Sequence, residues 1–275
     1  MSKKVHLVLG SGGARGIAHI GVIEMLEAEG YEIVSVTGCS MGAVVGGMYC
    51  AGFLDTYKKW LCTLTKSTVF SLFDFTLALH GFVKGDKVLR KLKEFTGEQL
   101  IENFAIPYTA VATDIRHKKE IHFTSGSLYK ALRASVGIPG VFTPVADEHT
   151  VMVDGGVLNP LPVNLVNKNP GELTIAVNLN GFSADKYKRT ADGNAAKTKS
   201  GLSLFNLLST SYDFTQDRLT ELMIQLYPPD VLIEIPRSTC AVYEFYRAAE
   251  LIRVGADAYK NNHGLKKFST TDKED

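Results

Sequence analysis

Short runs of apolar, β-branched residues alternate with amphipathic stretches along this chain. Val5 to Leu9 reads as a strand, Ile17 to Ala28 carries a helical period, and Ile33 to Thr37 is a second strand run, together a βαβ opening. Tyr108 to Thr113 and Glu120 to Phe123 follow as strands, Leu128 to Ser135 as a helix, and Val151 to Val153, Thr174 to Asn178 and Val231 to Ile235 as further strands. Helical patterns over Leu202 to Tyr227 and Ala241 to Asn262 are expected to lie on the outside of the sheet. Alternation of this kind predicts an α/β fold of three layers, a mostly parallel central sheet with helices on both faces.

Two stretches leave the pattern. Residues 63–86 are rich in Phe, Leu and Thr without a clear period, and 181–201 are small, polar and charged. The first is read either as buried core or as a cap whose Phe73 and Phe75 form an apolar wall or lid for an acyl chain; the second is read as a flexible excursion. A single domain over 1–265 followed by a disordered tail over 266–275 is the expected organisation.

Composition narrows the partners. The chain has 275 residues, 45% of them hydrophobic and 21% charged, and a formal net charge of +1, so no excess of positive charge attracts nucleic acid. No run of about 18 apolar residues marks a membrane span, and arginine and glycine interrupt the N-terminal apolar run before a signal sequence forms. Cys39, Cys50, Cys62 and Cys240 lack C-x-x-C spacing, which favours reduced thiols and a cytoplasmic location.

Chemistry is expected where strands run into glycine-rich turns, because ligands of open α/β sheets bind beyond the carboxyl ends of the strands. The first such turn is Leu9-Gly10-Ser11-Gly12-Gly13-Ala14-Arg15-Gly16. It fails as a dinucleotide loop, since the third required glycine position is Arg15, and as a P-loop, since no Gly-Lys-Ser/Thr follows. What it offers is backbone N–H groups at a helix start, suited to an anion: a phosphate or a transient oxyanion. The second turn, Gly38-Cys39-Ser40-Met41-Gly42, is a G-x-S-x-G sequence between strand and helix and matches a nucleophile elbow. The histidines offer it poor bases: His6 and His19 fall in the first strand and helix, His117 and His122 flank a basic turn, and His149 and His263 lie in polar stretches. A carboxylate is better placed, because Val151-Met152-Val153-Asp154-Gly155-Gly156 ends a strand with an acid at the same sheet edge.

These blocks, in this order, resemble the patatin-like phospholipases, and Ala134 to Pro144 (ASVGIPGVFTP) resembles that family's segment leading to the acid. The likeness spans roughly residues 5–180, and it departs from the family at Ser11, which stands where the first of three consecutive glycines is found. The resemblance implies the patatin-like fold and a Ser40–Asp154 dyad without a histidine. It also implies an oxyanion hole at Gly12 and Gly13 with Arg15 nearby, framed by Gly10, Gly16, Gly38, Gly42, Gly155 and Gly156.

The function so implied is a serine acyl hydrolase that cleaves fatty-acyl esters of phospholipid or lysophospholipid through an acyl-Ser40 intermediate, in transient contact with a membrane surface. Neither a metal nor an organic cofactor is expected, for want of clustered ligands or a nucleotide fingerprint. Two alternatives carry different chemistry: an acyltransferase using the same serine, and a lipid-binding protein that keeps the fold without activity.

Overall fold

The computed structural model describes residues 3–72, 86–181, 204–262 and 264–265. Five parallel strands form the centre of one eight-stranded sheet, in the order β3 (Tyr108–Asp114), β2 (Glu32–Cys39), β1 (Lys4–Leu9), β7 (Leu173–Gly181) and β8 (Val231–Pro236). Strands β1 and β7 are buried along nearly their whole length, which is why they read as apolar runs and not as alternating ones. Strand β8, at the edge, alternates buried and more exposed positions. Antiparallel to β3 run β4 (Lys119–Phe123) and β6 (Val151–Asp154), and the two-residue β5 (Val145–Ala146) pairs with β6.

The two faces of the sheet are packed unequally. Val5, Leu7 and Leu9 point into one large core, together with α1 (Ala18–Ala28), α2 (Met41–Cys50), α3 (Leu54–Cys62), α5 (Asp86–Thr96), α6 (Leu128–Ser135) and α8 (Ala248–Lys260). The intervening Val8 joins Ala176, Leu161 and Val163 in a smaller cluster on the other face, where Met223 and Ile224 of α7 (Leu204–Leu226) pack against it. Period-two alternation within β1 therefore feeds both layers. A short helix, α4 (Lys66–Leu72), follows α3. Helices α1 and α8 cross closely because Gly21 and Gly255 lack side chains: a Cβ on Gly255 would stand 1.9 Å from the Ala18 carbonyl oxygen.

The strands and the helix at Leu128–Ser135 fall where the periodicity puts them. One helix is shorter than its pattern. Residues 241–247 do not continue α8, because the Val242 carbonyl accepts the Ala14 N–H (2.9 Å) and the Glu244 carboxylate accepts the Ala241 N–H (3.0 Å). This stretch folds back over the first glycine turn and ends in a single 3₁₀ turn at Phe245–Arg247. Of the proposed cap at 63–86, positions 73–85 lie outside the described residues, Phe73 and Phe75 among them, as do 182–201 of the polar stretch, His263 and the tail.

Candidate active site

Strand β2 ends at Cys39 and α2 begins at Met41, so Ser40 makes the whole turn between them. It does so at φ 54° and ψ −121°, one of two non-glycine residues with positive φ among those described. Such a backbone costs on the order of 1–3 kcal/mol and persists only where the surroundings enforce it. Here they do. A Cβ on Gly38 would meet the Gly42 carbonyl at 2.5 Å, and one on Gly42 would meet the Leu9 oxygen at 2.0 Å, so strand, elbow and helix can touch only because both are glycine. The Ser40 N–H donates to Ser135 Oγ (2.9 Å), and Ser135 Oγ–H donates to the Val111 carbonyl (2.6 Å), tying the elbow to α6 and β3.

Sheet register brings Asp154 to the same point. Val111 of β3 pairs with Cys39 at the end of β2, and the next residue, Ala112, pairs with Asp154 at the end of β6. Because β4 holds the opposite edge of β3 at these positions, β2 and β6 share one edge and meet head to head. The Asp154 N–H donates to the Gly137 carbonyl (2.9 Å) and its Oδ1 accepts the Gly156 N–H (2.7 Å), while Oδ2 has no hydrogen-bond partner among the described residues. Burial pushes the carboxyl up to about 6, against the opposing pull of the Ser40 hydroxyl and the Gly156 N–H. Ser40 and Asp154 are thus neighbours in a dry setting, with one carboxylate oxygen uncommitted. The adjacent Cys39 thiol is held far above its ordinary range by burial and by the Asp154 charge, and it stays neutral.

Beside them lies the first glycine turn. Gly10, Ser11 and Ala14 donate their N–H groups to the carbonyls of Val177, Pro160 and Val242, at 3.0, 2.9 and 2.9 Å. Among the described residues the N–H groups of Gly12 and Gly13 find no such acceptor, which leaves two adjacent donors at the start of a 3₁₀ turn. Gly13 sits at φ +56°, in the left-handed region that favours glycine. Gly16 lets this segment lie on the elbow helix, since a Cβ there would stand 2.3 Å from that of Met41.

Arg15, grouped with Gly12 and Gly13 as an oxyanion residue, lines the same cavity as they do, and its guanidinium ties the loop down. Its guanidinium is buried and each nitrogen donates elsewhere: Nε to the Leu179 carbonyl (3.0 Å), Nη1 to that of Cys240 (3.0 Å) and Nη2 to Asn180 Oδ1 (3.3 Å). Burial, with Arg237 nearby, lowers it to about 10. The side chain braces the loop against β7 and the segment after β8. His19 braces it from below: its Nε2–H donates to the Gly10 carbonyl (2.9 Å), and burial pushes the ring down to about 4, so it is neutral. The other described histidines lie away from Ser40: His117, His122 and His149 are exposed, and His6 is at the opposite end of the sheet.

Ser40, Asp154, Gly12 and Gly13 line a cavity of about 520 Å³. Its lining is largely apolar, with Trp60, Leu61, Leu89, Leu92 and Phe142, and includes the polar Tyr212 and Gln216 of α7. Among the described residues no group of three or more His, Cys, Asp or Glu is arranged to hold a metal, and no helix is long and apolar enough to cross a membrane. Sequence reasoning missed Ser135, although the block containing it was singled out. It also missed Tyr212 and Gln216, whose helical period carried no signal beyond packing.

A family model described as patatin-like phospholipase matches residues 7–166. An NTE family protein of Mycobacterium bovis is 35% identical, over 92% of this chain and 89% of its own length. A lysophospholipase of Neurospora crassa is 32% identical over 64% of this chain, which spans 12% of that protein. Among solved structures, VipD from Legionella pneumophila matches 97% of this chain and 67% of its own, with a TM-score of 0.52 at 14% identity.

Proposed function

The chain belongs to the patatin-like phospholipase family and is a lipid acyl hydrolase, and from that premise we propose that it cleaves the acyl ester of a lysophospholipid or phospholipid through a Ser40–Asp154 dyad. The observation that carries this reading is the pairing of a strained, buried Ser40 with a carboxyl whose Oδ2 is uncommitted, at the floor of a largely apolar cavity. Asp154 in water is a feeble base; burial that raises it to about 6 brings it close to the working range of a general base.

In the first step Ser40 Oγ attacks the ester carbonyl as its proton passes to Asp154 Oδ2, and the carbonyl oxygen gathers negative charge. The N–H groups of Gly12 and Gly13 are preorganised donors for that charge, and donors of this kind contribute about 10²–10³-fold each in kcat. Collapse releases the alcohol, which takes the proton from Asp154, and leaves acyl-Ser40. A water, deprotonated by Asp154, attacks this ester, and the second collapse returns Ser40 and the fatty acid. The cavity accounts for an acyl substrate, since each CH₂ moved from water to an apolar wall gains about 0.8 kcal/mol.

A fluorophosphonate probe and a lysophospholipid turnover assay test the proposal together. The wild type is expected to be labelled at Ser40 and to release fatty acid. Labelling without turnover would favour transfer to another acceptor, and absence of both would favour a lipid-binding protein.

A further inference from the structure

We propose that the Tyr212 hydroxyl is a catalytic group in acylation, donating a hydrogen bond to the alkyl oxygen of the leaving group as the ester bond breaks. The inference rests on the Ser40–Asp154 reading and concerns the step that the dyad alone performs poorly. A single carboxyl must take the Ser40 proton and then return it to an alkoxide, with no histidine among the described residues beside it to hand the proton across.

Tyr212 is placed for this role. It lines the cavity with Ser40 and Asp154. Gly156 fixes how near it comes: the point where a Cβ on Gly156 would stand is 3.2 Å from Tyr212 Oη, 3.0 Å from Asp154 Oδ1 and 2.2 Å from Gln216 Nε2. Three polar groups therefore converge on one glycine, and any side chain there would displace them. Gln216 Nε2–H donates to Tyr212 Oη (2.9 Å) and reaches Ser11 Oγ at 3.4 Å, so the phenol oxygen already accepts one bond from a buried amide. Among the described residues no acceptor takes the Tyr212 O–H proton. The hydroxyl is thus a donor without an acceptor among the described residues, held near the carboxyl in the cavity lining. Burial and the Asp154 charge keep it protonated throughout.

The step balances simply. As the tetrahedral intermediate collapses, the acyl carbon–alkyl oxygen bond breaks and its electron pair goes to the alkyl oxygen. Asp154 supplies the proton, and Tyr212 keeps its own, stabilising the developing negative charge by a hydrogen bond. An aryl leaving group such as p-nitrophenolate spreads that charge into its ring and needs no such donor.

This difference gives the test. With kcat/KM, which reports acylation, Tyr212→Phe should lose about tenfold or more on lysophospholipid while staying within about threefold of wild type on a p-nitrophenyl ester of the same acyl chain. Gln216→Ala, which removes the bond fixing the phenol, should move the ratio of the two rates the same way by a smaller factor. Equal loss on both esters, or no loss on either, overturns the proposal, as does a Gln216→Ala enzyme whose ratio equals that of wild type. Failure here is distinct from failure of the dyad, which would appear as retained turnover in Ser40→Ala.

Discussion

Strand β2 and the turn that closes it hold two serines, and the one surrounded by the more familiar catalytic residue types is the one set away from the cavity. Ser35 Oγ lies 2.6 Å from His6 Nδ1, and His6 Nε2–H donates to Glu172 Oε2 at 2.8 Å, so serine, imidazole and carboxylate stand in a row. Ser40, five residues on, has a bare carboxylate for company. Yet Ser35 lies inside β2, beside a one-residue register shift against β1, and none of Ser35, His6 and Glu172 lines the cavity. Its network ties β1, β2 and the segment before β7 together. At Ser40 the strained turn, two unpaired N–H donors and a desolvated acid coincide. On the proposed reading a nucleophile is made by backbone and solvation around a residue, whereas an inventory of side-chain types would choose Ser35 over Ser40.

Removing the reacting groups should separate the two ends most widely. Ser40→Ala and Asp154→Asn are each expected to lose about 10⁴-fold or more in kcat, as members of a catalytic unit do, while Ser35→Ala stays within about threefold. Steady-state hydrolysis of a lysophospholipid measures all three. A large loss in Ser35→Ala with a normal melting curve would reverse the comparison.

The pH profile comes next in size. Asp154 acts as a base only when ionised, and its carboxyl is raised to about 6, so kcat/KM should fall about tenfold per pH unit below that value and be level above it. An acid limb centred near 4 would mean that the carboxyl is not desolvated in the working enzyme. A smaller effect, about tenfold in kcat, is expected for Ser135→Ala, which leaves the buried Ser40 N–H without its acceptor and relaxes the elbow without touching substrate. Restoration by Ser135→Thr, which keeps a hydroxyl, would show that the bond and not the volume matters.

The degree to which the site was legible follows from what fixes each part. Glycines at Gly38, Gly42 and Gly155 are demanded by backbone contacts of 2.0–2.5 Å, so the elbow and the Asp-Gly-Gly turn stand out in one dimension. Buried parallel strands leave apolar runs, and these were legible too. The meeting of β2 and β6 on one edge of β3 is a matter of register between segments more than a hundred residues apart, and no local pattern encodes it. Whether Arg15 faces an anion or holds the loop is not legible locally, because its three acceptors come from Leu179, Asn180 and Cys240, far along the chain. On α7 the cavity-lining Tyr212 and Gln216 are polar, whereas Leu207 and Phe214 are exposed, so the apolar period that marks an amphipathic helix gives no sign of the residues that line the cavity.

The smallest effects lie in stability, and there the two acids should move in opposite directions. Asp154 is raised from 3.8 to about 6 by burial, so between those values the folded state holds a proton that the unfolded state has released. Its contribution is favourable below about 4 and is lost as pH rises through 6, above which a buried charge costs up to about 3 kcal/mol, at 1.36 kcal/mol per pH unit. Asp154→Asn, neutral at every pH, should therefore melt several degrees higher than wild type at pH 8 and gain nothing at pH 4. Glu172 is lowered to about 2 by the His6 hydrogen bond and by the N–H groups of Asn169. Its contribution is present above its ordinary 4.5 and is lost as pH falls towards 2, so Glu172→Gln should melt lower than wild type at pH 8, with the deficit closing only in strong acid. Melting curves of the two variants across pH 3–8 check both signs. Stabilisation by Asp154→Asn alongside lost turnover would mark Asp154 as a residue kept for chemistry at the expense of the fold, and destabilisation by Glu172→Gln with full turnover would mark the other cluster as mortar.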